Sequence, residues 1–229
     1  GDPTMHIIPS HAFEAFYYVD LDTLPSTILI IRQEAFKLCA RIRTMVLQSN
    51  LTEIGTEAFA FCRALATVFV PDSVREINKG AFGDCYSLQT VRLPANNAQF
   101  VRLAPRLFRN CISLRALHLP ATIDHIGARA FDGCTQLQHL AIPNSVDTIS
   151  RSAFRDCRSL QTLELPQNDE FDNIPFEMCH ECTSLQRIVI PQSVEVISAR
   201  AFRLCSSLVD VDLGRNLISV GARAFAGCT

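Results

Sequence analysis

The stretch Ala153–Pro166, AFRDCRSLQTLELP, mixes two periods. Ala153, Phe154, Cys157 and Leu160 fall at i, i+1, i+4 and i+7, the apolar stripe of about two helical turns. Leu163 and Leu165 then alternate with Thr162 and Glu164, as in a short strand with one buried face. Pro166 ends that strand, because it has no N–H to give to a ladder. One short helical turn and one strand cannot bury their apolar face alone. The unit needs copies of itself.

The copies are there. A-F-x-x-C-x-x-L recurs as AFAFCRAL from Ala58, AFGDCYSL from Ala81, AFDGCTQL from Ala130 and AFRLCSSL from Ala201. AFKLCARI from Ala35, LFRNCISL from Leu107 and AFAGC from Ala224 are variants. The repeat cysteines are Cys39, Cys62, Cys85, Cys111, Cys134, Cys157, Cys182, Cys205 and Cys228, in steps of 23, 23, 26, 23, 23, 25, 23 and 23. With each cysteine taken as position 0, apolar residues fill −11, −8, −4, −3, 0, +3, +6 and +8, and Pro usually follows at +9. Stacked copies, about 4.8 Å apart per strand, bury these columns in one continuous core behind a continuous parallel sheet. That architecture is a solenoid.

The strand pattern L-x-x-[VL]-x-L and the whole unit, with I-x-x-x-A-F-x-x-C-x-x-L and a Pro after the strand, closely resemble the BspA-like, or Treponema pallidum-type, leucine-rich repeat of 23 residues. The resemblance covers almost the entire chain. It implies an α/β-type right-handed superhelix with its sheet on the concave face and short helical turns or irregular structure on the convex face. It also implies surface or secreted proteins that adhere to host or matrix components. Residues 6–229 read as a single domain of about nine to ten repeats, and residues 1–5 as a remnant of expression. In the first repeat Ile8, Ala12, Phe13, Val19, Leu24 and Pro25 fit, but Phe16 takes the cysteine position and Asp22 position +6, as suits a terminal cap. The last repeat stops before its strand, so self-association through an open C-terminal coil is expected of the chain as given.

Two linkers break the period. PANNAQFVRL from Pro94 is three residues longer than usual and PQNDEFDNI from Pro166 is two longer. Phe100 and Phe171 fall in the −11 column and read as core. The polar bulges Asn96, Asn97, Asn168, Asp169 and Glu170 remain as candidates for contact with a partner.

Composition excludes several function classes. The formal net charge of −2 supplies no global field for nucleic acid. No apolar run approaches the roughly 18–20 residues of a membrane span, so insertion is not expected. Compartment stays open: the buried thiol column and the lack of a signal peptide point to a reducing one, the resemblance to the cell surface. No nucleophile elbow, phosphate-binding loop, HExxH or dinucleotide fingerprint is present, and an enzyme is not expected. No cofactor is expected either. His118, His139 and Glu164 emerge on neighbouring strands, but His118 and Glu164 are two coils apart, too far for one ion. The motif Cys179-His180-Glu181-Cys182 looks like half a zinc site or a redox dithiol. In register, however, Cys182 is the repeat cysteine, Cys179 takes the Phe position and Met178 the Ala position, so both thiols read as core. The smaller Cys179 leaves space for Met178 or an inward Phe176 to fill.

The core columns barely vary, whereas the exposed strand positions +5 and +7 change in charge and size from coil to coil. That contrast fits a constant scaffold presenting a variable surface. The expected partner-binding residues are Phe69, Arg92, His118, His139, Glu164, Arg187, Asp210 and Asp212, with Phe69, Arg92 and Arg187 as anchors. The basic residues at −2, Lys37, Arg109, Arg155 and Arg203, read as a solvated convex face. The expected function is a protein-interaction module, with a spacer or self-associating array as the alternative.

Overall fold

The computed structural model describes residues 6–16 and 23–228. Val19 and Asp22 of the first repeat lie outside the described residues. The chain winds as a parallel β-solenoid in which each coil lays two short strands on the coil before it. The longer strands occupy +5 to +7: Thr44–Val46, Thr67–Phe69, Thr90–Arg92, His139–Ala141, Thr162–Glu164, Arg187–Val189 and Asp210–Asp212. Their register is one repeat, as in Val68 against Val91. The second column uses −9 and −8, for example Glu53–Ile54 on Glu76–Ile77. In the sequence this column shows only as the apolar −8 position, since two residues are too few to display alternation.

The sheets are segmented rather than continuous. The −9/−8 column breaks between Glu76–Ile77 and Arg102–Leu103, and again between Thr148–Ile149 and Asn173–Ile174. The +5 to +7 column breaks after Thr90–Arg92 and after Thr162–Glu164, with Ala116 joined to His139 by an isolated bridge. Each break falls across one of the two long linkers, while the turn-side hydrogen bonds run through both in register, as Phe82 N donates to Leu107 O at 3.2 Å and Phe154 N to Met178 O at 2.9 Å.

The A-F-x-x-C segment differs from its expected form: no helix occurs among the described residues. In every repeat the residues at −5 and −1 are left-handed, such as Glu34 and Leu38 (φ 56° and 64°) or Ser152 and Asp156 (φ 56° and 58°). Two left-handed residues four apart forbid an α-helix. The N–H groups alternate instead. Those at −4, −2 and 0 close turns within the coil, as Lys37 N donates to Glu34 O at 3.1 Å. Those at −5, −3 and −1 donate to the next coil, as Phe36 N does to Ala58 O at 2.8 Å. Half of the segment's hydrogen bonds therefore run between coils, and they offset the steric cost of non-glycine left-handed residues. The spacing i, i+1, i+4, i+7 is shared by this turn ladder and a helix, which is why the two look alike in sequence.

Packing follows the columns. Phe13, Phe36, Phe59, Phe82, Phe108, Phe131 and Phe154 form one stack, with neighbouring ring centroids 5.1–6.0 Å apart. It stops at Cys179 and resumes at Phe202 and Phe225, 5.3 Å apart. The repeat thiols point inward, and each donates to the −3 carbonyl of the previous coil, as Cys62 Sγ does to Phe36 O at 3.0 Å. That carbonyl also accepts the N–H of its own coil's cysteine, Cys39 N at 3.2 Å, so both lone pairs are used. Cysteine suits this position because it is small, apolar and a weak donor. Phe100 and Phe171 are buried, as their −11 column requires.

Candidate binding surface

The strand face is built by alternation. Position +6 points inward (Met45, Val68, Leu140, Leu163, Ile188), and +5 and +7 point outward. Phe69 and Val189 are each 40% exposed on this face, large apolar groups held at the surface by a rigid ladder. Phe69 pairs in register with Arg92 on the next strand. A shallow groove beside them is lined by Val46, Phe69, Asp72 and Arg92. Asp72 is held below its ordinary range chiefly by the Asn96 side chain, then by the Ala95 N–H, with Arg92 adding its field. Another groove runs along Thr162, Glu164, Arg187 and Val189. His139 Nδ1 lies 2.7 Å from Thr162 Oγ1, and Arg187 bridges to Asp210 at 3.2 Å. That exposed ion pair orients two side chains more than it stabilises the fold.

A further exposed column lies at +4 and escaped the reading of +5 and +7: Arg43, Gln89, Arg115, Gln138, Gln161 and Gln186. Its signal was the same register shifted by one residue. With it included, the face is electrically polar. Among the described residues at +4, +5 and +7, Arg43, Arg92 and Arg115 occupy the first half together with His118 and no carboxylate. Glu164, Asp210 and Asp212 occupy the second half, where Arg187 is already paired with Asp210.

The loop bulges divide. Asn97 donates to Val74 O at 2.8 Å and accepts the Gln99 N–H. Asn168 donates to Asn144 O and Val146 O and accepts the N–H groups of Glu170 and Phe171. These two amides tie their loops to the preceding coil, and Asn96 is bound to Asp72 at 2.9 Å. The Asp169 and Glu170 side chains stay exposed.

The −2 column is half-buried rather than solvated. Lys37 sits between Glu34 (2.9 Å) and Glu57 (2.8 Å), and the Nε of Arg109 is buried without a hydrogen-bond partner. His180 is buried in the same column, its Nε2 2.9 Å from Arg203 Nη1. Burial holds its imidazole below the ordinary 6.5, against the pull of Glu181 and Glu177. His125 is lowered the same way by burial and then by Arg102. A depressed histidine binds its proton more readily in the unfolded chain, so stability is complete above about pH 6.5 and declines below it. Asp132, raised by burial, opposes this trend. Thermal melts of the Asp132→Asn chain should show Tm falling as pH drops from about 7.5 to about 5.5, with His125→Gln and His180→Gln flattening the slope. A flat profile in the Asp132→Asn chain would remove this assignment.

Nothing at the cysteines builds a reactive site. All ten are unpaired thiols; burial pushes Cys39 up to about 11 and holds Cys157, Cys179 and Cys205 well above the ordinary thiol range. Cys179 and Cys182 are wholly buried. Phe176 does not turn inward; it is exposed beneath Arg200, 5.9 Å from its ring, and Met178 is the buried neighbour. His125 Nε2 lies 3.2 Å from Ser150 Oγ, a tie between adjacent coils. His11, Glu14 and Glu34 also converge, with His11 Nδ1 2.7 Å from Glu14 and 3.7 Å from Glu34. The Glu34 oxygen nearest His11 already accepts from Lys37, so a cation occupies that corner.

The BspA type leucine rich repeat region model matches residues 3–104 and 101–229 in six copies. The chain belongs to this leucine-rich repeat family. Among solved structures it is similar to a leucine-rich repeat protein from Eubacterium ventriosum, at 18% identity and TM-score 0.54, covering 97% of this chain and 80% of that one. It is also similar to a leucine rich cell surface protein from Faecalibacterium prausnitzii, at 23% identity and TM-score 0.49, covering 97% and 80%. The T. pallidum leucine rich repeat protein aligns at 25% identity and TM-score 0.46, covering 90% and 75%. No curated protein matches the chain. The Eubacterium structure shows the same fold, and the family model carries the membership.

Proposed function

We propose that this BspA-type array is a non-enzymatic protein-interaction module that binds through its strand face. One contrast carries the reading: the −8, −3, 0 and +6 columns repeat nearly unchanged, while the outward +7 column changes on every coil and +4 and +5 vary along the array. A rigid ladder that holds Phe69, Arg92 and Val189 outward orders a contact surface before any partner arrives, which lowers the entropic cost of binding. Aromatic and Arg side chains are over-represented at such surfaces. Adhesion at a cell surface is the finer proposal; the Faecalibacterium relative is described as a cell surface protein. The alternative is a spacer or self-associating array.

The test compares the parent chain with a Phe69→Ala/Arg92→Ala/Arg187→Ala variant as baits for solubilised surface and matrix proteins. A partner held by the parent should be recovered at least tenfold less by the variant, equivalent to about 1.4 kcal/mol. Equal recovery of every partner sinks the strand-face reading.

A further inference from the structure

The strand face is complementary to itself. We propose that its partner is a second copy of this chain, docked strand face to strand face with the two solenoids antiparallel. This rests on the strand face being the interaction surface.

The polar charge distribution sets the orientation. A two-fold axis along the solenoid would lay each coil on its own counterpart and the arginine half on the arginine half. A two-fold axis parallel to the strands, between Leu117 and Leu140, does the reverse. It keeps each column over itself and exchanges the two halves, so the contacts are isologous. In the +7 column Arg92 then faces Glu164 of the second copy, and Phe69 faces Val189. At the centre His118 faces Ala141, and in the +5 column Ala116 faces His139, so each large ring meets a small side chain. Every one of these contacts occurs twice.

The register is selective. Slipping one copy by one coil in either direction sets Phe69 over Asp212 or Glu164, and leaves Arg92 over Val189 or Ala141. Both slips set the large ring over a carboxylate and take Arg92 off Glu164, whereas the docked register sets only the smaller Val46 over Asp212. The faces are also shallow enough to meet. Turn-side N–H groups bond coil to coil at 2.6–3.3 Å along the array, and the strand side bonds likewise except at its two breaks, so the two sides of most coils share one spacing. The two imidazoles stand at the middle, where any residual curvature opens the gap most.

Eight coils at about 4.8 Å give a face about 38 Å long and, over +4 to +7, about 10 Å wide. That is small for a permanent dimer, so association should depend on concentration.

Arg92 and Glu164 are three coils apart within one chain, about 14 Å, and cannot pair internally. This makes a charge exchange decisive. Sedimentation of the parent chain from about 10 µM to about 500 µM should show monomer passing to dimer. Arg92→Glu and Glu164→Arg, each checked for an unchanged thermal melt, should each weaken the dimer at least tenfold, because each creates two like-charge contacts. An equimolar mixture of the two variants should recover the parent affinity, since both pairs are then opposite in sign. A parent chain that is monomeric throughout, or a mixture no tighter than either variant alone, overturns the inference. So does association that Arg92→Glu leaves unchanged, as end-to-end stacking on Ile218 would. A monomeric chain that still holds another protein through Phe69 and Arg92 overturns the second copy alone and leaves the interaction-module reading standing.

Discussion

Phe131→Ala is expected to remove about 3–5 kcal/mol from the unfolding free energy, as large a loss as any ring of the stack should give. Phe131 is fully buried and stacks on Phe108 and Phe154, each 5.6 Å away. Its removal opens a cavity and severs the stack on both sides. In a repeat array stability is the sum of coil terms and nearest-neighbour interfaces, so one substitution that damages two interfaces costs more than one at an end. Phe225, with a single stacked neighbour and only partial burial, supplies the control and should lose roughly half as much on the same change. Urea unfolding measures both. A Phe131→Ala loss below about 1.5 kcal/mol, or one equal to that of Phe225→Ala, would show that the rings merely fill volume.

The same column shows how much of the fold was legible. Alternation at Leu160–Leu165 and its copies disclosed the strands, because inward and outward residues differ in chemistry wherever a sheet covers a core. The outward strand face followed directly. The turn segment was not legible. Its left-handed residues are Glu34, Leu38, Glu57, Phe61 and others with no local preference for that conformation, and only Gly80, Gly133 and Gly227 hint at it. What holds them there is a hydrogen bond to the next coil, a tertiary cause absent from any one repeat. The −2 column was misjudged for a related reason. Long side chains in stacked turns shield one another, so Arg109 and His180 are enclosed by neighbouring coils although each looks exposed within its own.

The candidate surface was legible residue by residue but not as a whole. Phe69, Arg92 and Arg187 stand out by type. Their arrangement, basic at one half and acidic at the other, appears only when +4 joins +5 and +7. In a strand, neighbours along the chain point to opposite faces, and the outward set includes +4 only because the strand ends there.

The coupling between Met178 and Cys179 carries the second large effect. Cys179 occupies the ring position between Phe154 and Phe202, and its backbone keeps the ladder: Cys179 N donates to Ala201 O at 2.7 Å, and its carbonyl accepts from Cys205 Sγ at 3.1 Å. Only the side chain departs from the column. Met178, wholly buried where the other repeats apart from that of Leu107 have Ala, is the larger neighbour beside the smaller thiol, while Phe176 remains outside. Cys179→Phe alone therefore forces a ring against Met178 and should cost about 1–3 kcal/mol. Met178→Ala alone leaves a cavity beside the thiol and should cost about 2–5 kcal/mol. Together they restore the Ala-Phe pair of the other coils and extend the stack from Phe154 to Phe202. The double variant should be no less stable than the parent, a favourable coupling of about 3 kcal/mol or more between residues adjacent in the chain. Additive losses in a urea double-mutant cycle would mean that the space is filled by some other neighbour and that the interruption of the ring column at Cys179 is independent of Met178.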